Sequence, residues 1–243
     1  MKLAAFSRRV AKEILRDPLT LIFGLAFPLV LLLLMSLIQS NVPVPLFTPE
    51  RLTPGIAVFG LSFLTLFSSQ LIAKDRESVL LARLCSTPLS PLDFIIGYTL
   101  PLLPIAFAQT AICYAVAMLI GLTPSVNVLL AVIAALPAAV FFISLGLFFG
   151  SFLTSKQVGG ICGALLTNLS AWLSGAWLDL SLVGGVLSTI AKLLPFMHAV
   201  ELGRDILASS FASAGVHLIW VSAYAVVFAA LAVFTFMKKM RDL

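Results

Sequence analysis

Charge is scarce in this chain: of 243 residues, 10% are Asp, Glu, Lys or Arg, against 61% hydrophobic residues. No soluble domain of this length covers its surface with so few charges. With a mean hydropathy of +1.14, the composition is that of a polytopic membrane protein. Histidine is scarcer still. His198 and His217 are the only two, and neither has a second ligand at a metal-binding spacing. His198 and Glu201 stand one helical turn apart, an arrangement that more often makes a local hydrogen bond than an acid–base pair. No Ser–His–Asp or paired-carboxylate constellation is present, which argues against an intramembrane enzyme. The absence of a GxxxxGK[ST] loop excludes a nucleotide-phosphate cradle of the P-loop kind on this chain. Cys85, Cys113 and Cys162 are too far apart for a metal-ligand spacing and read as membrane-core or interface residues. The apolar runs also lack the interior acids and bases that ion-driven transporters place at membrane depth. Energy for any transport must therefore come from elsewhere.

What is present is a series of apolar runs. Residues 1–17 place Leu3, Phe6, Val10 and Ile14 on one helical face, with Arg8, Arg9, Lys12, Glu13 and Arg16 around the rest. Such a helix lies along the membrane surface with its cations near lipid phosphate, or serves as a positive-inside anchor. The run Leu19–Ile38 is span-length with no small-x-small cleavage site after it, so it reads as a retained first span, Leu19–Gln39, rather than a signal peptide. Residues 41–53 hold Pro43, Pro45 and Pro49 and read as a loop. Span two is expected over Pro54–Ala73, and span three over Ile95–Ile120 with a kink at Pro101 and Pro104. Span four is expected over Val128–Leu153 and span five over Val158–Leu178, each with a GxxxG pair (Gly146 and Gly150; Gly159 and Gly163) that lets helix backbones approach. Residues 179–214 are apolar stretches too short to span, interrupted by Gly184, Gly185, Lys192, Pro195, His198, Glu201, Arg204 and Asp205. They read as a re-entrant or interfacial segment before span six, Gly215–Met237.

The fold class is thus all-α, with six transmembrane helices in one domain covering residues 1–243. Six spans put both termini on one side. Twelve of the fifteen Lys and Arg residues fall there, against Arg51, Lys192 and Arg204 on the other. By the positive-inside rule both termini are cytoplasmic, in the cell inner (plasma) membrane. The net charge of +5 belongs to topology and anionic headgroups, not to nucleic acid.

One polar interruption, Lys74 to Asp93, separates spans two and three. Val79, Leu80, Arg83 and Leu84 share a helical face there, while Thr87-Pro88 stops the helix and Ser90-Pro91 starts the next. This is a docking helix for a cytoplasmic protein, or an ordinary interfacial helix. The stretch DRESVLLARLCSTPLS resembles the coupling-helix signature of type-2 ATP-binding-cassette (ABC) exporter permeases. Asp75, Arg76, Glu77, Arg83, Leu84, Thr87, Pro88 and Ser90 match; Val79 and Leu80 replace the usual Gly-Thr, and Ala82 a common acid. Leu15–Leu34 and Leu193–Leu207 (LLPFMHAVELGRDIL) are similar to further stretches of the same family.

The resemblance implies half of an exporter pore: this permease pairs with a second one, as a homodimer or paralogous heterodimer, and docks two ABC ATPase subunits. ATP and magnesium would then bind on the ATPases and no cofactor on this chain. Arg76, Glu77, Leu80, Arg83, Leu84, Thr87 and Pro88 would form the ATPase-docking site. For the substrate, Phe59, Phe63 and Phe67 recur at i, i+4 and i+8 on span two, with Asn168 and Trp172 on span five. Such aromatic and amide faces suit a hydrophobic or amphipathic drug, antibiotic or lipid-like molecule. A membrane scaffold that recruits a cytoplasmic partner without transporting anything is the alternative.

Overall fold

The computed structural model describes residues 2–42, 47–78, 90–177 and 184–241. Among these there are helices and turns but no strand. Helix α1 (Lys2–Leu15) buries Phe6, Val10 and Ile14, the stripe expected from their spacing. A short α2 (Pro18–Leu21) and a π-helical turn, Ile22–Ala26, lead into α3 (Phe27–Ser40). Helix α4 (Pro49–Glu77) extends beyond the expected span at both ends. Its first residue is a proline, whose missing N–H is no loss in a first turn. The run of prolines that reads as a loop therefore contains a helix start. At about 1.5 Å per residue α4 is roughly 43 Å long, more than a ~30 Å hydrocarbon core needs.

Helix α5 (Pro91–Ile120) begins with a capping box. The Ser90 hydroxyl accepts from the Asp93 N–H, and the Asp93 carboxylate accepts from the Ser90 N–H. The helix is continuous through Pro101 and Pro104. The expected fourth span is divided into α6 (Val126–Ala134) and α7 (Leu136–Gly150) at Ala135, where Pro137 lacks the N–H that would continue the ladder. The expected fifth span is helical but irregular: α8 (Ser155–Val158), a π-helical stretch Gly159–Leu166 and α9 (Thr167–Leu173) follow without a gap. The Thr167 hydroxyl donates to the Cys162 carbonyl five residues back. Helices α10 (Gly185–Leu193) and α11 (Pro195–Leu207) precede α12 (Phe211–Arg241). Neither α10 nor α11 is long enough to cross a ~30 Å core.

Among the described residues five helical runs are long and apolar enough to cross a membrane, by length and composition: Ile22–Ser40, Pro49–Glu77, Pro91–Ile120, Val126–Gly150 and Phe211–Lys239. The chain is a multi-pass, all-α membrane protein. The run at 155–173 is more polar, carrying Lys156, Gln157 and Asn168.

Helix α4 is the axis of the bundle, with 89% of its apolar window buried, against 17% for the first and last runs. It packs on α7 through hydroxyls: Thr65 donates to the Phe142 carbonyl and Ser68 to the Ile143 carbonyl, each at 3.0 Å. Gly146 makes the approach possible, because a Cβ there would lie 2.1 Å from Ser68 Oγ and 2.2 Å from the Thr65 carbonyl oxygen. The Gly146–Gly150 pair is thus a close-packing motif. In the second GxxxG pair, by contrast, Gly159 has nothing within 4 Å of a built Cβ and Gly163 meets only the Leu66 side chain.

Contacts define two ends. At one, α1 lies beside the end of α4 and the start of α5, the α7–α8 turn touches the last turn of α4, and Phe236 of α12 packs on Phe94. At the other, Arg204 of α11 donates to the carbonyls of Arg51 and Gly175, and Gly203 lies against Pro54. The described ends of the chain, in α1 and α12, lie at the same end of the bundle.

Candidate coupling site

The segment between α4 and α5 hangs from the most buried helix, and its root is fixed by a charged cluster. Asp75, in the last turn of α4, is 4% exposed. Arg9 of α1 donates to both its oxygens, from Nη1 at 2.7 Å and Nη2 at 2.6 Å, and Tyr98 of α5 donates its hydroxyl at 2.7 Å. Arg9 also reaches Glu13 at 2.9 Å. One carboxylate therefore joins three helices. A two-pronged guanidinium–carboxylate pair of this kind is strong and directional. The Asp75 hydrogen bond raises the Arg9 pKa above its usual value, whereas burial raises that of Glu13 despite the nearby guanidinium.

Aromatic packing holds the cluster in place. The Phe6 ring meets Tyr98 edge-on at 5.0 Å and Phe94 at 5.4 Å. It fits because Gly97 leaves room: a Cβ there would stand 2.4 Å from the Phe6 ring. Sequence reasoning placed Asp75 in the docking segment and missed this role. The signal was available, since a carboxylate at the end of a span-length, mostly apolar helix needs a partner if it is buried, and Arg9 and Tyr98 are the cation and hydroxyl within reach.

Of the expected docking residues, Arg76 and Glu77 are turned into the chain itself. Arg76 donates to the Ser151 carbonyl at 3.0 Å and to that of Leu153. The Glu77 carboxylate accepts from the Ser155 N–H at 2.8 Å and its hydroxyl at 2.7 Å. Both thus fasten the end of α4 to the α7–α8 turn. Leu80, Arg83, Leu84, Thr87 and Pro88 lie outside the described residues, as does Cys85. Cys113 and Cys162 are buried free thiols.

The expected pathway residues fall into two groups. Phe59, Phe63 and Phe67 are buried in a pile of rings with Phe23, Phe27 and Trp177, Phe59 lying 4.9 Å from Trp177 and Phe63 5.9 Å from Phe23. Asn168 is exposed and donates at 2.7 Å to the Ala164 carbonyl of its own helix, and Trp172 is 57% exposed. The amide therefore finds its partner one turn back, not on a neighbouring helix.

An all-helical, multi-pass bundle with an apolar body, and a polar segment rooted in a charged cluster at one end, has the architecture of a membrane permease. The chain belongs to the ABC-2 type transporter family, whose sequence model matches residues 1–208. No curated protein matches it. It is a permease of an ABC transporter, a transport component whose family membership implies an ABC ATPase partner.

Proposed function

We propose that this chain forms half of the pore of an ATP-driven exporter in the cell inner membrane, paired with a second permease, identical or paralogous, and with two ATPase subunits. Its cargo in this reading is a hydrophobic or amphipathic compound, such as a drug, antibiotic or lipid-like molecule, moved outward. The observation that carries the reading is the fastening of the last turn of α4, from which the 79–89 segment continues in sequence. A push on that segment passes through Asp75 to α1 and α5, and through Arg76 and Glu77 to the α7–α8 turn. A displacement at one end would thereby move α4 and the four helices fastened to it together instead of bending one loop. ATP and magnesium act on the ATPase subunits.

The Asn168–Trp172 face is exposed, whereas the Phe59–Phe63–Phe67 pile is buried. The pathway in this reading runs between two permeases, with Trp172 facing the partner and the rings becoming accessible when α3 shifts.

Arg83→Glu tests the docking. A cation on a docking helix pairs with acidic groups, and reversing it at a desolvated interface costs several kcal/mol. The variant should accumulate normally in the membrane, while copurification of a Walker-A ATPase falls at least tenfold. Normal copurification with normal transport would remove Arg83 from the interface.

A further inference from the structure

Between α1, α2 and the later half of α4 lies an open cavity of about 930 Å³, at the large end of the roughly 300–1,000 Å³ usual for ligand sites. Its floor is apolar, formed by the buried side chains of Ile14, Phe67 and Leu71. Its walls carry five cations, Arg8, Arg9, Lys12, Arg16 and Lys74, against the two acids Glu13 and Asp17. Arg9 is committed to Asp75 and Glu13, and Asp17 accepts from the Thr20 hydroxyl. The side chains of Arg8, Lys12, Arg16 and Lys74 make no hydrogen bond or ion pair among the described residues. With Asp75 counted beside Glu13 and Asp17, five cations face three carboxylates, so a rim of net positive charge borders a cavity whose floor is hydrocarbon. A free phosphate answers the rim alone, and an uncharged hydrocarbon the floor alone. Only an acid-headed molecule with a tail answers both, and a basic amphipathic helix beside apolar spans lies where such molecules are most concentrated.

We propose that this cavity is a specific binding site for an acidic phospholipid, its phosphate held among Arg8, Lys12, Arg16 and Lys74 and its acyl chain against Ile14, Phe67 and Leu71. The lipid bridges α1 and α4 beside the Arg9–Asp75 pair. A ligand that binds only the folded chain raises its melting temperature, by an amount that grows with the logarithm of its concentration over its Kd. The site differs from general attraction of a basic surface to an anionic membrane, which would spread over every cation at this end, Lys238 and Lys239 included. It is independent of what the permease exports.

The test uses the purified full chain in a neutral detergent, titrated with dioleoyl phosphatidylglycerol or dioleoyl phosphatidylcholine and read by native mass spectrometry and by Tm. One phosphatidylglycerol should remain per chain and raise Tm, with phosphatidylcholine doing neither. Lys12→Gln with Arg16→Gln should weaken retention by about tenfold or more. Lys238→Gln with Lys239→Gln, the same charge change elsewhere at this end, should leave it unaltered. Both altered cations are exposed, so Tm without lipid should hold; if it falls, Arg8→Gln with Lys12→Gln is read in its place. Equal weakening by the two double variants, equal retention of phosphatidylcholine, or displacement of the lipid by millimolar inorganic phosphate would each overturn the proposal.

Discussion

Asp75 shows how one side chain sets an arrangement that hydropathy alone would leave open. Its two oxygens accept three hydrogen bonds from two other helices, so Asp75→Ala leaves the Tyr98 hydroxyl buried without an acceptor and frees the Arg9 guanidinium. Arg9 is 34% exposed at its side chain, and water compensates part of that loss. The expected cost is about 2 kcal/mol, read as a lower Tm of the solubilised chain. Tyr98→Phe, which removes one bond and leaves the ion pair, should cost about half as much. At the other end His198 makes a second polar contact. Its Nε2 lies 2.9 Å from the Lys192 carbonyl and so carries a proton, which leaves Nδ1 to accept from His217 Nδ1 at 2.6 Å. Burial lowers the His198 pKa below its ordinary 6.5, with His217 adding to the shift and the Lys192 carbonyl and Glu201 opposing it. Asp205 faces His217 at 3.6 Å. A folded-state value below the unfolded one means that the neutral imidazole stabilises the fold above about pH 6.5, and that this stability is lost as pH falls through the depressed value. Trp220 lies 5.1 Å from the His198 ring. In a chain with Trp172 and Trp177 changed to Phe, acidification below pH 6 should quench its emission, and His198→Gln should abolish that response.

Among the elements, α4 and α7 form the contact that most depends on a missing side chain. Gly146→Val would drive carbon into the α4 backbone and should cost 3 kcal/mol or more by analogy with overpacked cores, where about 1–3 kcal/mol is usual. Gly159→Ala, with open space around it, should be neutral or stabilising by up to about 1 kcal/mol. Opposite signs from two glycines of the same motif, measured by Tm, would separate packing from composition. The sequence distinguished these elements unevenly. The surface stripe of α1 and the bodies of the long helices were legible, because burial in lipid or protein imposes long apolar runs and an apolar face at helical spacing. The start of α4 was not, because Pro49 breaks a helix internally yet suits its first turn. The break at Ala135 follows from Pro137, which lies inside an apolar run whose length and hydropathy alone suggest one unbroken span. The π-helical stretches left no readable trace, since an extra residue per turn changes no composition. The inward turn of Arg76 and Glu77 depends on the α7–α8 turn, some 75 residues away.

For the whole molecule, charge and geometry agree. The helix α1 cations, Lys74, Arg76, Lys156, Lys238 and Lys239 belong to one end, and Arg51, Lys192 and Arg204 to the other. Cells carrying single cysteines on a cysteine-free background report which end faces out. Lys192→Cys should react with an impermeant maleimide added to intact cells, and Lys156→Cys only after permeabilisation; the reverse pattern would invert the expected orientation. Both side chains are exposed, so failure to react reflects the membrane rather than burial.

The hydroxyl ladder between α4 and α7 also sets an order on biosynthesis. Thr65 and Ser68 find their acceptors 77 and 75 residues later in the chain. At roughly 5–20 residues per second of synthesis, that leaves the hydroxyl face of α4 without its partner for about 4–15 seconds. Ser62, Ser68 and Ser69 each also bond to a carbonyl of their own helix, so most of this face can wait in lipid with its donors occupied. Thr65 has no such local acceptor among its described bonds, and the nascent protein is least protected at that position until α7 emerges.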